Sequence, residues 1–266
     1  MVKISDLREK KILITGGSSG IGKATAEMMS SKGASVIITA RDESKLKRTL
    51  KDVKGVVSSY SVDISNWEEV QYLANRIMEE HGKLDIVINS AGIVHPGTLD
   101  SLTIDQIESI LNIDLLGTIN VCKAFQEGLI SPGYIINISS VAGFMGIYGY
   151  TVYSAAKFGV WGFSQALRME LEPKGIGVGV VFPPDTKTPG LDLENRTKPK
   201  ELKELSGTIK PISPEKVASS IVRGIKKGDF MIFPDGASRS TYHANRLVGP
   251  AVRSWMDTKV SSSRKE

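Results

Sequence analysis

The stretch Thr15-Gly16-Gly17-Ser18-Ser19-Gly20-Ile21-Gly22 follows the apolar run Lys11-Ile12-Leu13-Ile14-Thr15 and leads into an amphipathic segment, Gly20 to Lys32. The order is strand, glycine-rich turn, helix. Gly16, Gly20 and Gly22 sit at the turn, where missing Cβ atoms permit a tight bend and close approach of a ligand. The free N–H groups and positive dipole end of the helix point at the same place, which suits a pyrophosphate. Gly16, Ser18, Ser19, Gly20, Ile21 and Gly22 are therefore candidate cofactor contacts, the alternative being a glycine turn with no ligand. A second motif overlaps: Gly17 to Ala24 almost matches a P-loop, but Ala24 stands where a Mg²⁺-binding hydroxyl belongs, and Thr25 comes one residue late.

Working outward, short β-rich runs alternate with helical patterns to the end of the chain. Further strands are expected at 34–39, 56–62, 84–89, 134–138, 176–182 and 230–233. Helices are expected at 42–54, from Ser65 or Asn66 to Glu80, and at 103–128, 151–171 and 215–227. Strands apolar on both faces, alternating with helices, predict a seven-stranded parallel sheet covered on both sides, an α/β doubly wound Rossmann-type fold. One catalytic domain is expected over 1–260. A polar, proline-containing insertion at about 185–212 reads as a substrate lid, and 261–266 as a flexible tail.

Composition removes other classes. The 266 residues, 41% hydrophobic and 24% charged, suit one large soluble domain. A single cysteine, Cys122, forms no internal disulfide, and His81, His95 and His243 lie far apart, so no metal site is expected. The net charge of +5 is mild and spread out, so nothing asks for nucleic acid. No apolar run is long enough for a spanning helix. Met1-Val2-Lys3-Ile4-Ser5-Asp6 lacks the apolar core of a signal peptide. The expected location is the cytoplasm or the cytoplasmic face of a membrane.

The second strand ends at Thr39-Ala40-Arg41. An acidic residue there would bond the adenosine ribose; Arg41 instead suits a 2′-phosphate, so NADPH/NADP+ is expected, with Asp42 capping the next helix. Tyr153 and Lys157 are four apart on a predicted helix and share a face. A free phenol titrates near pH 10, and a nearby ammonium would lower that value toward a useful one. Ser140 ends the fifth strand, at the carboxyl edge where such sheets bind ligands, and its hydroxyl suits a substrate carbonyl oxygen.

These pieces, with Asp63, Asn89-Ser90-Ala91-Gly92, Asn112 and Ser139-Ser140, resemble a classical short-chain dehydrogenase/reductase from about Lys11 to Phe233. The resemblance implies a catalytic tetrad of Asn112, Ser140, Tyr153 and Lys157. In it Ser140 polarises a ketone oxygen, Tyr153 donates the proton, Lys157 lowers the tyrosine pKa and bonds the nicotinamide ribose, and Asn112 supports a returning water chain. It also implies that Asp63, with Ile64, reaches adenine and that Asn89, Ala91 and Gly92 line the cofactor cleft. Pro183, Thr186 and Thr188 lie near the nicotinamide, with Thr188 on its carboxamide. Ser90 departs from the family, which most often has asparagine there.

Phe182-Pro183-Pro184-Asp185-Thr186-Lys187-Thr188-Pro189-Gly190 and Glu194-Asn195-Arg196-Thr197-Lys198-Pro199 are similar to 3-ketodihydrosphingosine reductases. This narrower resemblance implies reduction of the 3-keto group of a long-chain lipid. A 3-oxoacyl thioester or steroid-type ketone reductase is the alternative within the family. A non-catalytic dinucleotide sensor and a P-loop NTPase are the alternatives outside it. Apolar residues around the helix 152–171 predict a homodimer or homotetramer. Tyr242, Leu247, Val248, Val252, Trp255 and Met256 predict an amphipathic C-terminal helix, for packing or peripheral membrane contact.

Overall fold

A computed structural model of the chain describes residues 2–207 and 210–263. The elements run β1 (Lys11–Thr15), α1 (Gly20–Ser31), β2 (Ser35–Ala40), α2 (Glu43–Asp52), β3 (Val56–Ser61), α3 (Trp67–His81) and β4 (Leu84–Asn89). Next come α4 (Ile104–Ile110), a π turn (Leu111–Leu116), α5 (Gly117–Phe125), β5 (Leu129–Ile138), α6 (Thr151–Leu171) and β6 (Ile176–Val181). The chain continues with α7 (Pro189–Thr197), α8 (Lys200–Ser206), α9 (Pro214–Lys227), β7 (Met231–Ile232) and α10 (Gly236–Ser263). The seven strands form one parallel sheet in the order β3-β2-β1-β4-β5-β6-β7.

Alternation along β1 shows why the sheet is covered twice. Ile12 and Ile14 face one side, where α1, α2 and α9 supply Ala26, Met29, Leu46 and Val217. Leu13 faces the other, where α3, α5 and α6 supply Val70, Leu73, Phe125 and Leu167. Each of these side chains is buried, and those larger than Ala26 contribute roughly 1.5–3 kcal/mol apiece. Caps set several helix starts. Asp42 accepts from the Lys45 N–H, Asn66 from Glu69 and Ser213 from Lys216, and Thr103 with Gln106 makes a reciprocal capping box.

The structure differs from the expected bounds at several points, among them β5, which starts at Leu129 rather than at Tyr134. The helix expected over 103–128 is interrupted by the π turn. The last strand shrinks to two residues between the turn at Asp229 and Pro234. The polar insertion expected as a lid carries two helices outside the expected set: α7 starts on a Thr188 cap and α8 follows, burying Leu191, Leu202 and Leu205, with 208–209 outside the described residues. The expected tail is helical through Ser263, because after the kink at Val248 and Pro250 no glycine or proline stops α10; residues 264–266 lie outside the described residues.

Candidate active site

After β3 the chain returns across the sheet to set β4 beside β1, where the strand order reverses, and a cavity of about 890 Å³ opens at the carboxyl ends of these strands. At one end is the glycine turn. Gly16 has φ +66°, and a Cβ there would lie 2.8 Å from the Ala91 Cα. A Cβ on Gly22 would run into the Gly16 carbonyl oxygen. Gly20, at φ +52°, abuts the Thr188 methyl, which ties the turn to the start of α7. Gly16, Ser19, Gly20, Ile21 and Gly22 line this end, with Arg41 exposed at the rim. The P-loop alternative finds no support: Lys23 pairs with Glu27 at 3.9 Å, and the buried Thr25 hydroxyl donates to the Ile21 carbonyl.

Midway along the cavity, Ser140 at the end of β5 faces Tyr153 and Lys157 on α6. The Ser139 hydroxyl donates to the Lys157 carbonyl at 2.9 Å and so fixes α6 against the strand end. The Ser140 Oγ accepts the Ala142 N–H at 3.1 Å and bonds the Tyr153 phenol. Lys157 Nζ lies 5.5 Å from the Tyr153 ring centroid and donates to the Ile138 carbonyl at 3.3 Å.

The structure corrects part of the expected tetrad. Asn112 is exposed and lies outside the cavity lining. Asp114, two residues on and hence on the opposite side of the helical turn, lies in the site. Its side chain is 0% exposed; Oδ1 accepts the Ile93 N–H at 2.7 Å, and Oδ2 lies 3.0 Å from Lys157 Nζ. The signal was present in the sequence: with Ile110 and Thr118, four residues to either side, Asp114 puts a charge on a buried helix face.

The expected lowering of the tyrosine pKa by Lys157 is not the largest influence on the phenol. Burial pushes the Tyr153 phenol up first, the charges of Asp114, Glu194 and Asp185 push the same way, and the Ser140 bond opposes them. The ammonium is already paired with Asp114.

Four of the expected cofactor contacts lie outside the lining. Asn89 is buried beneath the strand end, donating to Asn137 Oδ1 at 2.8 Å and to the Cys122 sulfur. That core position pushes the Cys122 thiol up to about 12 by burial. Asp63 Oδ1 accepts from Ser65 N–H and hydroxyl. Ile64 packs on Gly117, and Ser18 is half-buried beside the turn. Ala91, Gly92, Pro183, Thr186 and Thr188 do line the cavity, although the Thr188 hydroxyl is engaged in capping α7 and Thr186 donates to the Pro184 carbonyl.

Beyond Tyr153, sequence reasoning missed a charged cluster. Lys198 is 1% exposed, 3.0 Å from Asp185 and 2.8 Å from Glu194. Glu194 also accepts from the Tyr150 hydroxyl. Asp185 and Glu194 line the cavity, and they outnumber the lysine two to one. Leu202, Leu205, Val252, Trp255 and Met256 from α8 and α10 make the remaining wall apolar. Among the described residues no helix is long and apolar enough to cross a membrane, and no group of three or more potential metal ligands occurs.

A family model described as short chain dehydrogenase matches residues 10–199. The chain is 37% identical over 229 residues to "3-ketodihydrosphingosine reductase" of Mus musculus, covering 82% of this chain and 69% of that one. It is 37% identical over 237 residues to "3-dehydrosphinganine reductase" of Danio rerio (85% and 71%), and 36% identical over 252 residues to "3-ketodihydrosphingosine reductase" of Dictyostelium discoideum (86% and 75%). The fold matches that of a short chain dehydrogenase/reductase from Burkholderia phymatum solved with NAD, at TM-score 0.81 and 22% identity over 91% of this chain and 95% of that one. The chain belongs to the short chain dehydrogenase family and is an oxidoreductase.

Proposed function

We propose that the chain is an NADPH-dependent reductase that converts the 3-keto group of a long-chain 2-amino ketone, 3-ketodihydrosphingosine, to a secondary alcohol. One observation carries this reading: a single cavity holds Ser140, Tyr153 and Lys157 between a glycine cradle and an apolar chamber with net negative charge near the phenol. The names of the relatives above support the substrate. A dinucleotide fits the turn, because a side chain at Gly16 or Gly22 would fill the cradle and the amide end of α1 faces it. Arg41 at the rim suits a 2′-phosphate. Gly16, Gly20, Gly22, Arg41, Gly92 and Lys157 would hold the cofactor, which when bound supplies the hydride.

The chain's own residues do the rest. The Ser140 hydroxyl orients and polarises the ketone oxygen. The Tyr153 hydroxyl, held in its protonated form by burial, delivers the proton to that oxygen. Asp185 and Glu194, with one charge balanced by Lys198, attract the substrate's ammonium and set the adjoining carbonyl beside the phenol. The apolar wall from α8 and α10 takes the alkyl chain and keeps water out.

NADPH oxidation assays with 3-ketodihydrosphingosine, its N-acetyl derivative, a 3-oxoacyl thioester and a steroid ketone test the reading. The free amine is expected to react fastest. An equal rate for the N-acetyl compound overturns the ammonium assignment, and a faster thioester or steroid overturns the substrate class.

A further inference from the structure

We propose that Asp114 is a positioning residue whose carboxylate takes up the charge of Lys157, so that Tyr153 works as an acid and the site favours reduction. The inference rests on Tyr153 as proton donor. Its geometry is closed. Asp114 lies in the π turn, a helix irregularity that recurs at functional sites. The Ile93 N–H anchors Oδ1 at 2.7 Å, leaving Oδ2 to face Lys157 at 3.0 Å with no hydrogen-bond partner of good geometry among the described residues. Gly92 makes room: a Cβ there would lie 3.3 Å from Asp114 Oδ1 and 3.4 Å from Lys157 Nζ. Both charged side chains are buried, at 0% and 6% exposure. A buried ammonium so paired projects little positive field onto the neighbouring phenol.

The groups around the phenol come from four elements. Lys157 and Tyr150 flank it on and just before α6, and Asp114 comes from the π turn. Asp185 and Glu194 come from the segment after β6 and from α7, with Lys198 joining the latter two. His95 stands near Asp114. Burial raises the Asp114 carboxyl above its ordinary value, against the opposing pull of Lys157, the Ile93 N–H and His95. Removing its charge exposes Tyr153 to the Lys157 ammonium and stabilises the phenolate, so the phenol loses its proton at lower pH.

The test compares wild type, Asp114→Asn and Asp114→Glu in two ways. One is the pH profile of ketone reduction. The other is ultraviolet difference titration of tyrosine in the unliganded proteins, with Tyr153→Phe in each background as the blank. In Asp114→Asn the alkaline limb and the Tyr153 titration are expected to move about one pH unit toward acid. Asp114→Glu keeps both near the wild-type position. A fall in kcat with an unmoved Tyr153 titration overturns the proposal and leaves Asp114 a packing residue. If Asp114→Asn does not fold, Asp114→Ser replaces it; a wild-type Tyr153 that titrates below a free phenol also overturns the proposal. Full activity in Tyr153→Phe would refute the proton-donor reading alone, since the titration reads the phenol without turnover.

Discussion

At the glycine-turn end of the cavity the chain presents backbone: amides at the start of α1, a cradle cleared by Gly16 and Gly22, and one exposed charge, Arg41. At the α7 end it presents charged side chains, the buried Lys198 paired with the partly exposed Asp185 and Glu194. Between them the Tyr153 phenol is shaped by charges from both α7 and the π turn. The backbone end works by shape, and shape demands glycine at fixed spacing. The side-chain end works by field, and a field depends on which residues the fold gathers. Substitutions at the two ends should therefore fail in different ways.

The largest effect is expected at the centre. Tyr153→Phe removes the proton donor and should lower ketone reduction by roughly 10²–10⁴-fold, the usual span for a general acid. Titration with NADPH should still saturate, since no atom of the glycine cradle changes. Loss of dinucleotide binding along with turnover would mean that the ends are not separable.

Next comes the α7 end. Glu194→Gln keeps the shape and removes one charge. A charged hydrogen bond contributes roughly 1.5–3 kcal/mol, so kcat/KM for the amino ketone should fall about 10- to 100-fold. The N-acetyl ketone should be little affected. Equal losses for both would show that Glu194 supports α7 rather than reading the ammonium.

Gly22→Ala probes the backbone end. The added methyl meets the Gly16 carbonyl oxygen, and overpacking of this kind costs roughly 1–3 kcal/mol. The urea midpoint and the NADPH affinity should drop together, with the preference among ketones unchanged. A variant of wild-type stability would mean that the turn relaxes easily.

The same contrast explains what was legible in the sequence. The seven parallel strands, the glycine turn, Ser140, Tyr153 and Lys157 are tied to local patterns: an apolar run, a strand end, a turn, an i,i+4 pair on a helix. Asn112 failed because the register of a helix containing a π turn is not read from spacing, and two residues change which side faces the site. Asn89 and Asp63 lie outside the cavity lining for another reason. Each is a polar side chain at a strand end, and such a residue serves a ligand or the protein's own hydrogen bonds equally well; here Asn137 and Ser65 claim them. The Lys198 cluster joins residues thirteen and four apart in sequence, and its burial exists only once α7 packs over the cavity.

Arg41 gives the smallest expected effect, because it is exposed. Its partner would be a 2′-phosphate in water, and an exposed ion pair contributes at most about 1 kcal/mol, or roughly fivefold in affinity. Arg41→Asp replaces attraction with repulsion and leaves a carboxylate able to accept from ribose hydroxyls. The ratio of NADPH to NADH affinity should then fall by about tenfold, and the change should shrink as salt is raised, since exposed charges are screened over about 10 Å at 0.1 M. The turn itself, lined by amides common to both cofactors, should not contribute to the ratio. If wild type binds NADH as tightly as NADPH, Arg41 is only a rim charge. The preference would then have to arise elsewhere along the adenosine end of the cleft.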